Sequence, residues 1–195
     1  MGKKTRFTPF NHPFTLPPVL DEPLIRSETR PMNLHPDYLH VLLNPVPIYG
    51  LAMGIIALAI AFVLRSRAAR MVALILICLS SAAAWPVYHY GEKAYDEVMM
   101  IADDEGTTWM DEHQRRAENL IVAFYALAAL ALAALVMPCK WPRSDIPLSS
   151  LTFVLAVAVL GAGGWIAYAG GRIRHSEFRS AKPPASEKPK ASSSE

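Results

Sequence analysis

Four apolar runs, each close to the length of a bilayer crossing, divide this chain and constrain its fold more than any other feature. They cover about residues 47–64, 71–90, 119–137 and 148–169. Roughly 20 apolar residues in a helix cross about 30 Å of hydrocarbon. Inside lipid every backbone N–H and C=O must be satisfied within the protein, which a helix does by itself. With 195 residues, 52% of them apolar, no second domain fits beside the spans. The expected fold is all-α: an antiparallel bundle of four transmembrane helices joined by short connections.

The punctuation agrees with that fold. Arg65, Arg67 and Arg70 form a tight basic turn after the first span, and Lys140 and Arg143 sit in the turn between the third and fourth. Pro45 and Pro47 are expected to kink or break the helical lead-in to span one, because proline supplies no N–H. Gly50 and Gly54 make a GxxxG pattern that permits close helix packing. Trp85, Tyr88 and Tyr90 suit an aromatic belt at the end of span two. The acidic stretch from Gly91 to Glu118 reads as a polar connection, with Tyr95, Val98, Met99 and Ile101 forming a short amphipathic helix on the bundle end. Its Asp103-Asp104-Glu105 run lacks the spacing of a calcium loop and reads as solvated. The third span is expected to stop at Pro138, and Gly170 and Gly171 to let the chain turn out of the fourth.

Outside the 33–179 domain, residues 1–32 read as an extended, Pro-rich arm. Residues 180–195 have the composition of a disordered, low-complexity tail. No apolar h-region follows the basic N-terminus, so no cleavable signal peptide is expected. Short loops weigh most in the positive-inside rule, which puts the two basic turns in the cytoplasm of a bacterial inner membrane and the termini outside.

Charge and motifs exclude several classes of function. A net charge of +2 without a basic, aromatic-studded face argues against nucleic-acid binding. Cys78 and Cys139 form no CxxCH, so covalent c-type haem is excluded. No Ser/His/Asp set, HExxH or phosphate-binding glycine loop is present, and an enzyme is not expected.

What stands out instead is histidine. His35, His40, His89, His113 and His175 all fall toward the same membrane face. Twenty-four residues separate Leu64 from His40, Met137 from His113 and Leu151 from His175. At 1.5 Å per residue that is about 36 Å from the basic turns, one shared level, with His89 somewhat deeper. Three readings stay open. Two imidazoles from facing helices can ligate a b-type haem. Three histidines with Glu112 or Glu177 can bind zinc or copper. Or the histidines simply cap helix ends at the interface. The expected role is an accessory subunit of an energy-transducing electron-transfer complex, contacting lipid and other membrane subunits through small-residue helix faces and terminal arms. The alternative is a stand-alone membrane cytochrome or metal-binding redox protein.

The stretches LHVLLNPVPIYG (39–50), PVYHYGEKAYDEV (86–98), DEHQRRAENL (111–120) and AGGRIRHSEFR (169–179) carry a resemblance. Together they resemble a family of small, uncharacterised four-helix bacterial membrane proteins. That family has a histidine-rich lead-in ending in LNH-x-P-x-x-G, a GEPAEE-like stretch, an HE-x-x-A entry to helix three and a closing GGQIRHTEIR. His40, Asn44, Pro47, Gly50, Gly91, Glu92, His113, Gly170, Gly171, Arg174, His175 and Glu177 match. Pro45 stands where that family has a second histidine and Gln114 where it has glutamate, and His89 is additional. The resemblance implies a membrane protein associated with respiratory or cytochrome systems.

Overall fold

The computed structural model describes residues 35–179, and both the arm and the tail expected from the sequence lie outside them. Within that range the chain is an all-α bundle of four long helical segments, Pro36–Val63, Arg67–Met99, Asp104–Lys140 and Pro142–Arg174, each long and apolar enough to cross a membrane. The first comprises α1 (Pro36–Leu43), a π-helical turn at Val46–Gly50 and α2 (Leu51–Val63). The second comprises α3 (Arg67–Ala82) and α4 (Ala84–Met99); the third is α5 (Asp104–Lys140) and the fourth α6 (Asp145–Arg174).

Every segment overruns the apolar run that marks it in the sequence. The stretch from Gly91 to Glu118 is almost wholly helical: α4 continues to Met99, and α5 begins at Asp104. This stretch forms no separate amphipathic helix, because Tyr95, Val98 and Met99 belong to the continuing α4. Asp103 stops the intervening turn by capping α5, its carboxylate accepting the Gly106 N–H at 2.8 Å. Pro138 does not end the third helix, which runs on to Lys140. Nor do Gly170 and Gly171 release the chain, since α6 continues to Arg174.

Pro45 and Pro47 are accommodated without breaking the segment. The i→i−4 donors they lack fall where the helix widens into a π turn, and the axis carries on. That continuity keeps His40 in line with the span below it. Pro86 has a similar effect on the second segment, where helical bonding is interrupted at Ala83 and then resumes.

Neighbouring segments pack in chain order, and the fourth closes the ring on the first. α2 packs on α3 and α6, α5 on α3 and α6, and α1 on α4. Segments one and three are therefore diagonal. At the basic-turn end the core is made of Leu58, Leu74, Leu127, Ala131, Ala134 and Ala156. Alanines spaced along α5 let the other helices come close, and Gly54 does the same on α2: a Cβ there would sit 2.7 Å from Ile77. Arg70 of α3 is buried at this end and pairs with Asp145 at the start of α6 at 2.5 Å.

Candidate cofactor site

At the terminal end the interior is built from two copies of one local arrangement. His40 of α1 places Nδ1 2.8 Å from the carbonyl of Val87 on α4. His113 of α5 places Nδ1 3.0 Å from the carbonyl of Ile166 on α6. Since a carbonyl only accepts, Nδ1 carries the proton in each ring, and in the neutral imidazole Nε2 keeps a bare lone pair. Each accepting carbonyl is already bonded to the N–H one turn further along its helix, and in both helices that residue is glycine. A Cβ on Gly91 would lie 2.8 Å from His40 Nδ1; on Gly170 it would lie 3.1 Å from His113 Nδ1. The missing side chain is what lets the ring lie against the helix and reach a carbonyl's second lone pair.

The two imidazoles come from diagonal segments and meet in the middle. Their centroids are 6.3 Å apart and their planes 85° from parallel. Neither Nε2 has a hydrogen-bond partner among the described residues. Cavities lie on both sides of the pair. One of about 260 Å³ opens toward the terminal end and is lined by Asn44, Glu92, Tyr95, Met110, Gln114 and Arg174, among others. A smaller one, about 70 Å³, points into the bundle and is lined by Ile48, Ala84, Ile121, Phe124 and Gly163. His40, Tyr88, His113 and Ala117 line both.

The register of α5 on α6 is held by a second clamp. Arg116, one turn beyond His113, donates to the carbonyl of Trp165 at 2.7 Å, next to the carbonyl that His113 uses. Its guanidinium also lies 4.1 Å from the Trp165 ring centre. Glu112 neutralises Arg116 and Arg115 together, at 2.6 and 2.7 Å.

The remaining histidines stand apart. His89 stacks on Trp85, with centroids 5.5 Å apart, and lines neither cavity. His175 lies past the end of α6 with 58% of its side chain exposed, and pairs with Glu177 at 2.9 Å. The shared level counted from the basic turns thus describes His40 and His113; His175 lies beyond it because α6 meets His113 at Gly170, five residues earlier in the chain. Glu112 is engaged by its arginines and Glu177 by His175, so neither carboxylate completes a metal site with the central pair. Among the described residues, His35, Asp37 and Glu97 have ligand atoms close enough to share an ion, on the bundle's outer end.

The closing turn has its own task. Arg179 folds back to donate to the carbonyls of Arg172 and Ile173, at 2.8 and 2.7 Å, and to Asp103 at 2.7 Å. It caps the end of α6 and ties it to the start of α5. Arg179 and the Gly106 N–H hold the Asp103 carboxyl below its ordinary range, and Asp103 in turn raises Arg179.

Reading the sequence missed the Val87 and Ile166 carbonyls, which carry no side-chain signal. It also missed the role of Gly91 and Gly170. Their levels, next to His40 and His113 on the neighbouring helices, are the clue that could have found them. No family model matches the chain, and no curated protein or solved structure matches it significantly. The likeness to the uncharacterised family rests on the motifs quoted above.

Proposed function

We propose that this chain is an electron-carrying membrane subunit that holds one b-type haem between His40 and His113. The observation that carries the reading is the facing pair of imidazoles, each with Nδ1 anchored on a carbonyl beside a glycine. Such anchoring is the usual outer-shell support of a ligating histidine, since it fixes the tautomer and leaves Nε2 as ligand. Two rings bound through Nε2 on opposite sides of one ion, with bonds of about 2.0–2.1 Å, would have centroids roughly 6–6.5 Å apart. The observed 6.3 Å falls in that interval.

The donor set favours haem over a bare ion. Zinc takes four ligands, and copper sites usually three or more. A porphyrin brings four nitrogens of its own and asks the protein for two axial ligands, which is what the pair offers. Cavities on both sides of the pair suit a flat group that extends past the imidazoles in both directions. When bound, haem would supply one-electron transfer; the protein's part is to fix the ligands and exclude water.

A subunit of a respiratory or photosynthetic complex is favoured over a stand-alone cytochrome. The site occupies one end of the bundle only, so electrons arriving there need a partner at that face. Large apolar side chains such as Ile56, Val72, Leu132 and Val154 are exposed on every segment, suiting lipid and partner helices alike. We place the basic turns in the cytoplasm and the site toward the periplasm of a bacterial inner membrane. The two basic turns are the short connections, which weigh most in the positive-inside count. Exposed Cys139, in the last turn of α5 beside the second basic turn, should then react with a membrane-impermeant maleimide only from the cytoplasmic side; labelling of intact cells overturns this orientation.

The decisive experiment is the optical spectrum of the gently solubilised protein. A reduced-minus-oxidised b-type spectrum is expected, lost in His40→Ala and in His113→Ala but kept in His89→Ala and His175→Ala. A colourless protein from haem-replete cells, or pigment indifferent to the central pair, rules the reading out.

A further inference from the structure

We propose that the haem sits with its two carboxylate-bearing arms toward the terminal end of the bundle, and that Arg174 is their counter-ion. This rests on the haem reading and deepens it. Haem is apolar around most of its rim and acidic along one edge, so the two cavities beside the imidazoles are not equivalent for it. The inner one is lined by groups such as Ile48, Ile121, Phe124 and Gly163, and has no charged side chain other than what the two histidines could carry. The outer one has Asn44, Glu92, Gln114 and Arg174 on its wall. Burying a carboxylate without a partner in the inner cavity would cost several kcal/mol. The acidic edge therefore belongs in the outer one.

Arg174 is singled out by elimination. Arg115 and Arg116 are bound to Glu112, and Arg179 to Asp103. Arg172 donates to the Tyr168 carbonyl and lies over the Tyr168 and Trp109 rings. Arg174 lines the outer cavity and forms no ion pair among the described residues. It lies one turn beyond Gly170, on the face of α6 that meets His113. Gln114 and Asn44 add amide donors at the same mouth, while Glu92, on α4, repels an acidic edge and favours the α6 side.

The test compares two porphyrins in the full-length protein, stripped of pigment in detergent: protohaem and its dimethyl ester, whose arms carry no charge. A charge-assisted hydrogen bond should make wild type bind protohaem about tenfold or more tighter than the ester. Arg174→Gln should shrink that ratio to about threefold or less by weakening protohaem alone, and Arg174→Lys should restore part of it. Ester affinity reports on the site's integrity. If the wild-type ratio persists in Arg174→Gln, or if that variant loses ester binding equally, the counter-ion role is wrong. Failure of wild type to bind either porphyrin would instead strike the haem reading itself, and this inference with it.

Discussion

The two ends of this bundle use the same four helical segments and solve different problems. At the basic-turn end, Ala131, Ala134, Leu58 and Leu127 close the interior, and one buried ion pair, Arg70–Asp145, ties the second segment to the fourth. At the terminal end, glycines make room for imidazoles, arginines reach backbone carbonyls, and the interior opens into cavities. Small residues appear in both halves with opposite results. An alanine or glycine facing another helix brings backbones together; a glycine facing a histidine admits a ring. The difference shows that a small-residue stripe has no meaning until its neighbour is known.

Substitutions should separate the two ends. The largest stability effect is expected from Asp145→Ala, which leaves the Arg70 guanidinium buried without its partner. A loss of about 3–5 kcal/mol is the typical cost of breaking a buried pair. Reversible unfolding in detergent would measure it, while any folded fraction should keep the b-type spectrum proposed above. An equal loss of pigment in that fraction would show that the two ends are not separable.

Glycine substitutions should do the reverse, in graded order. Gly91→Ala puts a Cβ 2.8 Å from the His40 ring, too close to be accepted in place. The ring must swing from the Val87 carbonyl, and overpacking of this kind costs about 1–3 kcal/mol. Haem affinity, read by titration of the stripped protein, should fall about tenfold, with helical content unchanged. Gly170→Ala, at 3.1 Å from His113, needs a smaller adjustment and should cost a few-fold. Gly164→Ala meets nothing within 4 Å and should be silent. Equal effects from all three would mean that backbone freedom, rather than room for the imidazoles, is what the glycines provide.

Much of this architecture was legible in the chain. Runs of apolar residues gave the number of segments, and residue counts from the basic turns put His40 and His113 at one depth. Other parts misled for physical reasons. The polar stretch from Gly91 to Glu118 looks like a connection because hydropathy reports contact with lipid, whereas helices continue past the bilayer wherever packing supports them. Gly170-Gly171 looks like a helix stop because glycine often ends helices, yet here Gly170 serves His113 from inside α6. His175 looks like a member of the central layer because counting assumes that every helix crosses in the same register, whereas α6 meets His113 at Gly170, five residues before it.

The sequence by itself determined the class of fold, the four helices long and apolar enough to cross a membrane, and the common depth of His40 and His113, since these follow from hydrophobic length and a constant rise per residue. Only the tertiary structure decided which histidines face each other. Depth is a coordinate along one helix, but facing depends on how each helix is rotated and which neighbours it meets. The packing of α1 on α4 and of α5 on α6 sets both, turning two distant histidines and two distant glycines into one site.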